Sequence, residues 1–376
     1  MTDSAASRIP HPSLGRTTRR RFLAGVAVSS AAIAAPRIIP AAAMGADGAT
    51  APSERLTLAL IGHGLMGRGH WRRLVGDPAI QAVAVCDVDR VRREAGRQLA
   101  DETYPGRGCA AVNDYREVLD RPDVDGVVIA TPDHWHTLIS IHAAEAGKDV
   151  YCEKPISITL REGRELADTM RRHARVFQTG TQYRSIPAIR RVCEFVRCGG
   201  LGKVKSAFAL WSNLAGWLRW PQFRPFVRGM KAEDLAHWHV PIEFPLSAEP
   251  VPDGLDWDLW VGPGTWRPYN REYHRNPAPG VVPWAFCDSF GVASITWHHS
   301  HSADVIQYAL GMETSGPVEI IHPHTGEFPT LTCRYSNGAL LHMVEHWGIV
   351  KSAYGAVPDS ARLAGNFGGV FVGERG

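Results

Sequence analysis

The feature that most constrains the fold is a glycine-rich turn, Gly62-His63-Gly64-Leu65-Met66-Gly67, which follows the apolar run Leu56–Ile61. A strand that enters a G-x-G-x-x-G turn and leaves it as a helix indicates a dinucleotide-binding unit. The first glycine permits the tight turn, the second lets the backbone approach a pyrophosphate, and the third lets helix and strand pack closely. Free N–H groups at the helix start attract the phosphates. The predicted cofactor-binding residues of the turn are Gly62, Gly64, Leu65, Met66 and Gly67.

An acidic residue stands where this pattern requires one. Asp87 follows a second apolar run, Ala82–Cys86, and lies twenty residues after Gly67. A carboxylate in this place accepts hydrogen bonds from the ribose hydroxyls and repels a 2′-phosphate. The predicted cofactor is therefore NAD, while Arg90 leaves NADP open as the alternative. An ordinary glycine turn in an unrelated α/β protein is the competing interpretation.

Alternating apolar and amphipathic segments continue to about Gly180. The run Gly126–Ala130 is continuously apolar, which is typical of a parallel strand buried on both faces. We expect it to be followed by a helix from Asp133, acting as the cap, to Ala146, a strand over Lys148–Cys152, a helix over Thr159–His173 and a strand over Val176–Thr179. This order predicts a Rossmann domain, a doubly wound parallel sheet, over residues 49–180, with its ligand at the carboxyl ends of the strands. Residues 181–376 would form a second domain.

One of these strand ends carries the tripeptide Glu153-Lys154-Pro155. A lysine in a partly closed cleft has a lowered pKa and can exchange a proton with a carbinol oxygen. Glu-Lys-Pro is also a common surface tripeptide, so its position after a nucleotide fingerprint is what favours the catalytic interpretation.

With these motifs the chain resembles the glucose–fructose oxidoreductase / inositol dehydrogenase / rhizopine-catabolism (Gfo/Idh/MocA) oxidoreductases. The matching stretches are Ile61–Gly67, Ala130–His136, Tyr151–Pro155, Thr179–Gln182 and Leu255–Pro263. The resemblance implies a Rossmann domain followed by a C-terminal α/β domain with a large, mostly antiparallel sheet. It implies NAD(P)-dependent chemistry on sugars or polyols, with Lys154 as the catalytic lysine. Thr131, His136, Glu153 and Gln182 would line the nucleotide or the pocket near the nicotinamide.

A histidine-rich run, Trp297-His298-His299-Ser300-His301-Ser302-Ala303-Asp304, precedes a predicted helix over Val305–Leu310. The family commonly has an Asp, a His four residues later and an Asp three residues after that. His301 and Asp304 match the second and third positions and are candidate catalytic residues, but Trp297 occupies the first. A metal site is not predicted, because no carboxylate or cysteine stands at clear ligand spacing. A helix start rich in polar residues is the simpler account.

Tryptophan is concentrated in the second domain. Nine of the twelve tryptophans fall between Trp211 and Trp297. Most such rings are expected in the core, and two or three are expected to border a carbohydrate site, because sugar C–H faces stack on indole rings. Strands are predicted over Lys203–Trp211, Pro317–His322, Thr330–Tyr335 and Ala339–Trp347. We also expect a homo-oligomer that associates through this C-terminal sheet.

The first 45 residues predict a twin-arginine signal peptide. Thr18-Arg19-Arg20-Arg21-Phe22-Leu23 precedes an apolar run that is too short to span a bilayer, and Ala41–Ala43 offers a cleavage site. A basic disordered tail is the alternative. Export of a folded protein to the periplasm or beyond implies a cofactor bound tightly before export. No stable membrane insertion is expected afterwards.

Charge and length restrict the class of protein further. The formal net charge is +3, but residues 1–45 hold six Arg against one Asp, so the remainder carries about −2 and no basic stripe. Nucleic acid is therefore not an expected partner. The chain of 376 residues ends on Gly368–Gly376, an alternating segment followed by a turn without a return strand, which we interpret as a truncation.

The sequence thus predicts an exported NAD-dependent oxidoreductase that acts on a sugar, polyol or glycoside. One alternative is an NAD-dependent glycoside hydrolase, in which transient oxidation of the sugar permits elimination without net redox change. The other is a carbohydrate-binding or scaffold protein that retains nucleotide without turnover, and Trp297 in place of an aspartate favours it.

Overall fold

The computed structural model describes residues 50–104, 108–210, 246–274, 283–287, 289–363 and 368–376. The chain divides into two units, Met1–Glu54 and Arg55–Gly376, and the described residues of the first include a 3-10 turn, Pro52–Glu54. The predicted signal peptide lies outside the described residues. All the elements below belong to the second unit.

Two sheets contain eleven strands among the described residues. The strands of the first sheet are β1 Leu56–Ile61, β2 Ile80–Cys86, β3 Ala110–Val112, β4 Gly126–Ile129, β5 Asp149–Cys152 and β6 Phe177–Thr179. Those of the second are β7 Val204–Leu210, β8 Glu319–Ile321, β9 Thr332–Arg334, β10 Leu340–Val344 and β11 Gly369–Gly373. The helices are α1 Leu65–Gly76, α2 Arg90–Thr103, α3 Tyr115–Leu119, α4 Asp133–Glu145, α5 Leu160–Arg172, α6 Pro187–Arg197, α7 Trp257–Val261, α8 Arg271–His274, α9 Ala293–Ala309 and α10 Trp347–Ser352. Further 3-10 turns cover Gln182–Ser185, Pro283–Phe286 and Pro323–Thr325.

The first sheet confirms the predicted doubly wound fold. Its strand order is β3-β2-β1-β4-β5-β6, and every neighbouring pair is parallel. The order reverses between β1 and β4, where Ile61 pairs with Ile129. A crevice therefore opens beyond these two strand ends, which is where ligands bind in sheets of this kind.

Burial on both faces explains why the central strands are continuously apolar. On one face Ile61 and Ile129 pack with Trp135 of α4, and on the other Leu60 and Val128 pack with Trp71 of α1. Alternate residues of a strand point to opposite faces, so a strand covered on both sides needs apolar residues at every position. This packing fixes the strand ends on which the site is built.

The second sheet has the order β11-β7-β10-β9-β8. The β7–β10 pair is parallel and the other three pairs are antiparallel, so the sheet is mixed and mostly antiparallel. The strand predicted over Ala339–Trp347 is shorter in the structure, where β10 covers Leu340–Val344. The chain then turns into α10, which begins at Trp347. Trp211, the expected end of β7, lies outside the described residues.

The histidine-rich run occupies the middle of a helix, which corrects the sequence prediction. Helix α9 begins at Ala293 rather than Val305 and continues to Ala309. His301 therefore lies two turns inside α9, and a polar helix start does not explain the run. The buried side chains of Val305, Ile306 and Ala309 anchor the following turns against the second sheet and α6.

Three further findings concern the described residues only. None of their helices is long and apolar enough to cross a bilayer. They contain no group of three or more His, Cys, Asp or Glu residues arranged to hold a metal ion. The seven cysteines form no disulfide, and six of them are buried.

Candidate active site

A cavity of about 370 Å³ lies at the carboxyl ends of β1, β2, β4 and β5. Eleven of the thirteen predicted site residues line it: Gly62, Gly64, Leu65, Met66, Asp87, Thr131, His136, Glu153, Lys154, Gln182 and His301. Gly67 and Asp304 do not. Residues from both halves of the chain therefore meet in one cleft, although their separation in sequence reaches more than two hundred positions.

The glycine turn leaves no room for side chains at two positions. Gly62 has a φ of +92°, and a Cβ there would lie 2.7 Å from the carbonyl oxygen of Ala130. A Cβ at Gly67 would overlap the carbonyl oxygen of Gly62 itself. Gly67 is therefore structural: it lets α1 begin directly against the turn, as the fingerprint predicts.

Asp87 lies where the ribose of a dinucleotide is expected. Its Oδ2 accepts a hydrogen bond from the His63 N–H at 2.7 Å, and its Oδ1 accepts one from the Asp89 N–H at 2.9 Å. Burial raises the pKa of this carboxyl group, while Arg92 and the two N–H groups oppose the shift. Arg92, not Arg90, lines the cleft. The Arg90 N–H donates to the carbonyl oxygen of Gly254 at 2.8 Å.

Lys154 lies in the cleft just beyond the end of β5. Burial lowers its pKa, and the charges of Asp133 and Glu153 oppose that shift. A lysine with these properties can release its proton more readily than a solvated one. The peptide bond to Pro155 is cis.

Glu153 is held by groups that the sequence analysis missed. Its Oε1 lies 2.8 Å from Nε2 of His70 and 3.5 Å from the Tyr151 hydroxyl, and its Oε2 accepts a hydrogen bond from the Lys154 N–H at 3.3 Å. Burial acts to raise the pKa of Glu153, but His70, Lys154 and His136 outweigh it and leave the pKa below its ordinary value. Glu153 is therefore an ionised group in a fixed position beside the lysine.

His136 connects two strand ends. Its Nδ1 lies 2.6 Å from the carbonyl oxygen of Pro155, and its Nε2 lies 2.9 Å from that of Thr131. Burial lowers the pKa of His136, and a neutral imidazole donates to only one of these two oxygens. Both partners are backbone carbonyl oxygens, so His136 holds together the segments that carry Thr131 and Lys154.

His301 and Asp304 have different surroundings, although they are one helical turn apart. The His301 ring stacks on Tyr183 with centroids 4.4 Å apart, and burial, followed by the Lys154 charge, lowers its pKa to about 4. Asp304 instead forms a two-point ion pair with Arg184, with distances of 2.7 and 2.5 Å. The structure thus places His301 in the cleft and Asp304 beside it, where it fixes α9 to the turn that carries Gln182 and Tyr183.

Four of the tryptophans between positions 211 and 297 have described side chains. Trp260 and Trp284 line the cleft, whereas Trp257 is buried and stacks on Trp260 with centroids 4.7 Å apart. Trp266 is exposed. Four others, Trp211, Trp217, Trp220 and Trp238, lie outside the described residues, as does the side chain of Trp297.

The segment around α7 covers the ribose side of the cleft. Leu255 forms a bridge with Asp89, and the Asp256 N–H donates to the carbonyl oxygen of Val88 at 3.0 Å. The Asp256 carboxylate accepts a hydrogen bond from Asn113 Nδ2 at 2.8 Å. These contacts join sequence-distant residues around Asp87 at that end of the cleft.

Two family models match the chain. Residues 56–181 match the GFO_IDH_MocA oxidoreductase family, NAD-binding Rossmann fold, and residues 216–339 match its C-terminal alpha/beta domain. Together they cover about two thirds of the sequence. The chain belongs to the Gfo/Idh/MocA oxidoreductase family and carries its NAD(P)-binding Rossmann fold.

Individual relatives match over about two fifths of this chain. Levoglucosan dehydrogenase of Pseudarthrobacter phenanthrenivorans is 34% identical over 155 residues, which are 41% of this chain and 40% of that protein. Glycosyl hydrolase family 109 protein 1 of Shewanella sp. strain MR-4 is 31% identical over 163 residues, 42% of this chain and 35% of that one. The chain thus spans about two fifths of the length of these curated relatives. Among solved structures, myo-inositol 2-dehydrogenase from Lactobacillus plantarum aligns with 77% of this chain and 69% of its own, at 18% identity and a TM-score of 0.46.

Proposed function

We propose that this protein is an NAD-dependent oxidoreductase that acts on a hydroxyl-bearing carbon of a sugar, polyol or glycoside. The observation that carries the proposal is the meeting of Lys154 and His301 with the glycine turn and Asp87 in one cavity. Similarity to a levoglucosan dehydrogenase supports a carbohydrate substrate. The direct test is reduction of nicotinamide by the full-length protein with a panel of sugars and glycosides.

The cleft fits a dinucleotide on its own evidence. The turn at Gly62 packs directly against the Ala130 backbone, where a side chain would clash, and Asp87 is a buried acceptor at the ribose position. The Thr131 hydroxyl oxygen is buried in the cleft wall and has no hydrogen-bond partner within the protein. When bound, NAD supplies the carbon that accepts the substrate's hydride.

The protein's own groups then have separate tasks. Lys154, with its lowered pKa, accepts the hydroxyl proton during oxidation and returns it during reduction. His301 is neutral and orients the substrate hydroxyl by a hydrogen bond. Trp260 and Trp284 supply apolar surface for the C–H faces of the sugar.

The preference for NAD over NADP rests on Asp87. Replacing it in Asp87→Asn should weaken NAD binding by about 1–3 kcal/mol, because charge-assisted hydrogen bonds to the ribose become neutral ones. NADP should lose less affinity, since the carboxylate that repels its 2′-phosphate is gone. Isothermal titration with both nucleotides measures the two changes. Equal losses for NAD and NADP would mean that Asp87 does not contact the ribose.

A second candidate function is glycoside cleavage by transient oxidation. It is favoured by similarity to a glycosyl hydrolase family 109 protein and by the α7 segment over the ribose end, which suits a retained nucleotide. Product analysis separates the two functions: a ketosugar with reduced nucleotide supports net oxidation, whereas a free sugar with unchanged nucleotide supports hydrolysis. Bound NAD with neither product would support the scaffold alternative.

We also propose export by the twin-arginine route, which transports folded proteins and would carry a tightly bound nucleotide out with the protein. Changing Arg19→Lys together with Arg20→Lys keeps the charge but removes the recognised pair, so the precursor should stay in the cytoplasm. Arg8→Lys with Arg16→Lys is the matched control and should be exported normally. Fractionation and immunoblotting report the result, and export of the first variant would argue for another route.

We also propose that the protein forms a homo-oligomer through its second sheet. Its edge strand β8 exposes Ile320, and the preceding Val318 is exposed beside it. Sedimentation velocity distinguishes a monomer from the expected homo-oligomer.

A further inference from the structure

One segment from the second half of the chain is attached to the first sheet at two places. Residues 254–274, here called the strap, contain α7 and α8 and supply Leu259, Trp260 and His274 to the cleft wall. The strap contacts the loops after β2 and β3 at one place and the start of α4 at the other. Because β1 lies between β2 and β4, the two attachments are on opposite sides of the strand that carries the glycine turn.

The attachment to α4 is apolar and buried. The carbonyl oxygen of Trp260 accepts a hydrogen bond from Trp135 Nε1 at 3.1 Å, and the Trp260 ring packs edge-on against Phe290 with centroids 4.9 Å apart. Trp257 stacks on Trp260 from the other side of the helical turn, and all four rings are at most 6% exposed. Separating these rings would expose a large apolar area to water, so we expect this attachment to persist.

The attachment to the loop between β2 and α2 consists of hydrogen bonds. The Arg90 N–H donates to the carbonyl oxygen of Gly254 at 2.8 Å, and the Asp256 N–H donates to that of Val88 at 3.0 Å. Asn113 Nδ2, just beyond β3, donates to the Asp256 carboxylate at 2.8 Å. Water replaces such hydrogen bonds when the two surfaces separate, so each contributes modestly to the attachment. This attachment is therefore the one that can open.

The far end of the strap contacts the same loop. Arg92 Nη2 donates to the carbonyl oxygen of His274 at 2.9 Å. The Asp89 carboxylate lies 3.4 Å from Arg92 Nε and 3.4 Å from His274 Nε2. Arg92 and His274 both line the cleft together with Asp87. The wall at the Asp87 end of the cleft is thus built by groups from both halves of the chain.

We propose that the strap holds the nucleotide on the protein, and that its hydrogen bonds to the β2–α2 loop must break before a nucleotide enters or leaves. The proposal rests on nucleotide binding in the cleft, which is part of the proposed function, but it does not depend on sugar oxidation. Asp256 is the positioning residue, because it joins the strap to Asn113 and does not line the cleft itself. An effect of Asp256 on the nucleotide therefore passes through the strap.

Asp256→Asn tests the strap with little change elsewhere. The amide oxygen can still accept the Leu259 N–H, as Asp256 does when it caps α7, but the charged acceptor for Asn113 is lost. Because this contact joins two protein groups, its loss should raise both the association and the dissociation rate of NADH about 2–10-fold. The dissociation constant should stay within about twofold. Asp258→Asn removes the neighbouring exposed acid of α7 and should show native rates.

Gly254→Ala weakens the same attachment through the backbone. Gly254 has a φ of +81°, and a Cβ there would lie 2.9 Å from Nε and 3.0 Å from Cβ of Arg90, so the strap must shift away from the loop. Both NADH rates should again rise together. Gly326→Ala is the matched control, because Gly326 has a φ of +79° but a Cβ there would meet no atom within 4 Å, and it does not line the cleft. Its rates should be native.

Stopped-flow fluorescence of the full-length protein measures both rates, by mixing with NADH for association and by displacing bound NADH with excess NAD for dissociation. A parallel rise of both rates in Asp256→Asn and Gly254→Ala, with native rates in the two controls, supports the strap even if no sugar is oxidised. A rise in dissociation alone overturns it, because the change would then have removed a contact that holds the nucleotide directly.

Two other results also overturn the strap. One is native rates in either variant once circular dichroism shows that the variant is folded, and the other is the same rise in its control. A native protein that binds no nucleotide contradicts this proposal and the proposed function together. Native rates in the variants of a protein that binds NADH contradict only the strap.

Discussion

Lys154→Ala is expected to lower turnover about 10²–10⁴-fold, the usual contribution of a positioned acid–base group. Alanine removes the half-buried amine that exchanges the hydroxyl proton, but it leaves the glycine turn and Asp87 intact. Affinity for NAD should therefore stay within a few-fold of the native value. Steady-state kinetics and nucleotide titration on the same preparation measure both quantities.

Two further variants test whether the loss of turnover is specific to the amine of Lys154. Lys154→Arg should restore little activity, because a guanidinium group does not lose its proton at working pH. Lys205→Ala is the control for loss of a lysine, since Lys205 is exposed on β7 and does not line the cleft. Native turnover in Lys154→Ala would remove the lysine from the mechanism.

Gly67→Ala is expected to weaken NAD binding by about 3 kcal/mol, or roughly 100-fold. Its Cβ would overlap the backbone carbonyl of Gly62, so the phosphate-binding turn must move away from α1. The displacement also strains the contact between the first strand and this helix, and the free energy of unfolding should fall by about 1–3 kcal/mol. Nucleotide titration and denaturant unfolding test the two effects.

The same helix provides a control. A Cβ at Gly69 would meet no atom within 4 Å, and this glycine is exposed. Gly69→Ala should therefore bind NAD normally and should gain up to about 1 kcal/mol in stability from the better helix propensity of alanine. If both variants bound NAD equally well, the close approach at Gly67 would not matter for the site.

The first sheet could be predicted from sequence because its signals are local. Each central strand is a short apolar run buried on both faces, and the glycine turn fixes how β1 enters α1. Parallel strands of such a unit end at the same edge, so the neighbourhood of Gly62, Asp87, Thr131 and Lys154 followed from chain order alone.

The second half gave weaker signals. Helix α9 carries polar residues where it borders the cleft, so its apolar periodicity appears only from Val305 onward, and the prediction began the helix twelve residues late. Asp304 was assigned to catalysis from a motif, whereas its contact with Arg184 depends on a turn 120 positions earlier. No local pattern contains that information.

The residues that the sequence analysis missed are likewise joined to the site by contacts between residues that are distant in sequence. His70 reaches Glu153 from the second turn of α1, and Tyr183 reaches His301 from a 3-10 turn. Asp133 looked like an ordinary helix cap, because its contact with Val292 is visible only once α4 and the start of α9 are in place. Such contacts depend on how helices and strands pack together, not on the secondary-structure propensities of their residues.

The most direct test of the proposal that this protein oxidises a sugar through Lys154 combines an NAD titration with the addition of candidate substrates. The purified full-length protein and its Lys154→Ala variant are each saturated with NAD, and a panel of sugars and glycosides is added while nicotinamide absorbance is recorded. We expect equal NAD binding by both proteins and nicotinamide reduction by at least one sugar in the native protein only. Absence of NAD binding by the native protein, or equal reduction by both proteins, would contradict this proposal.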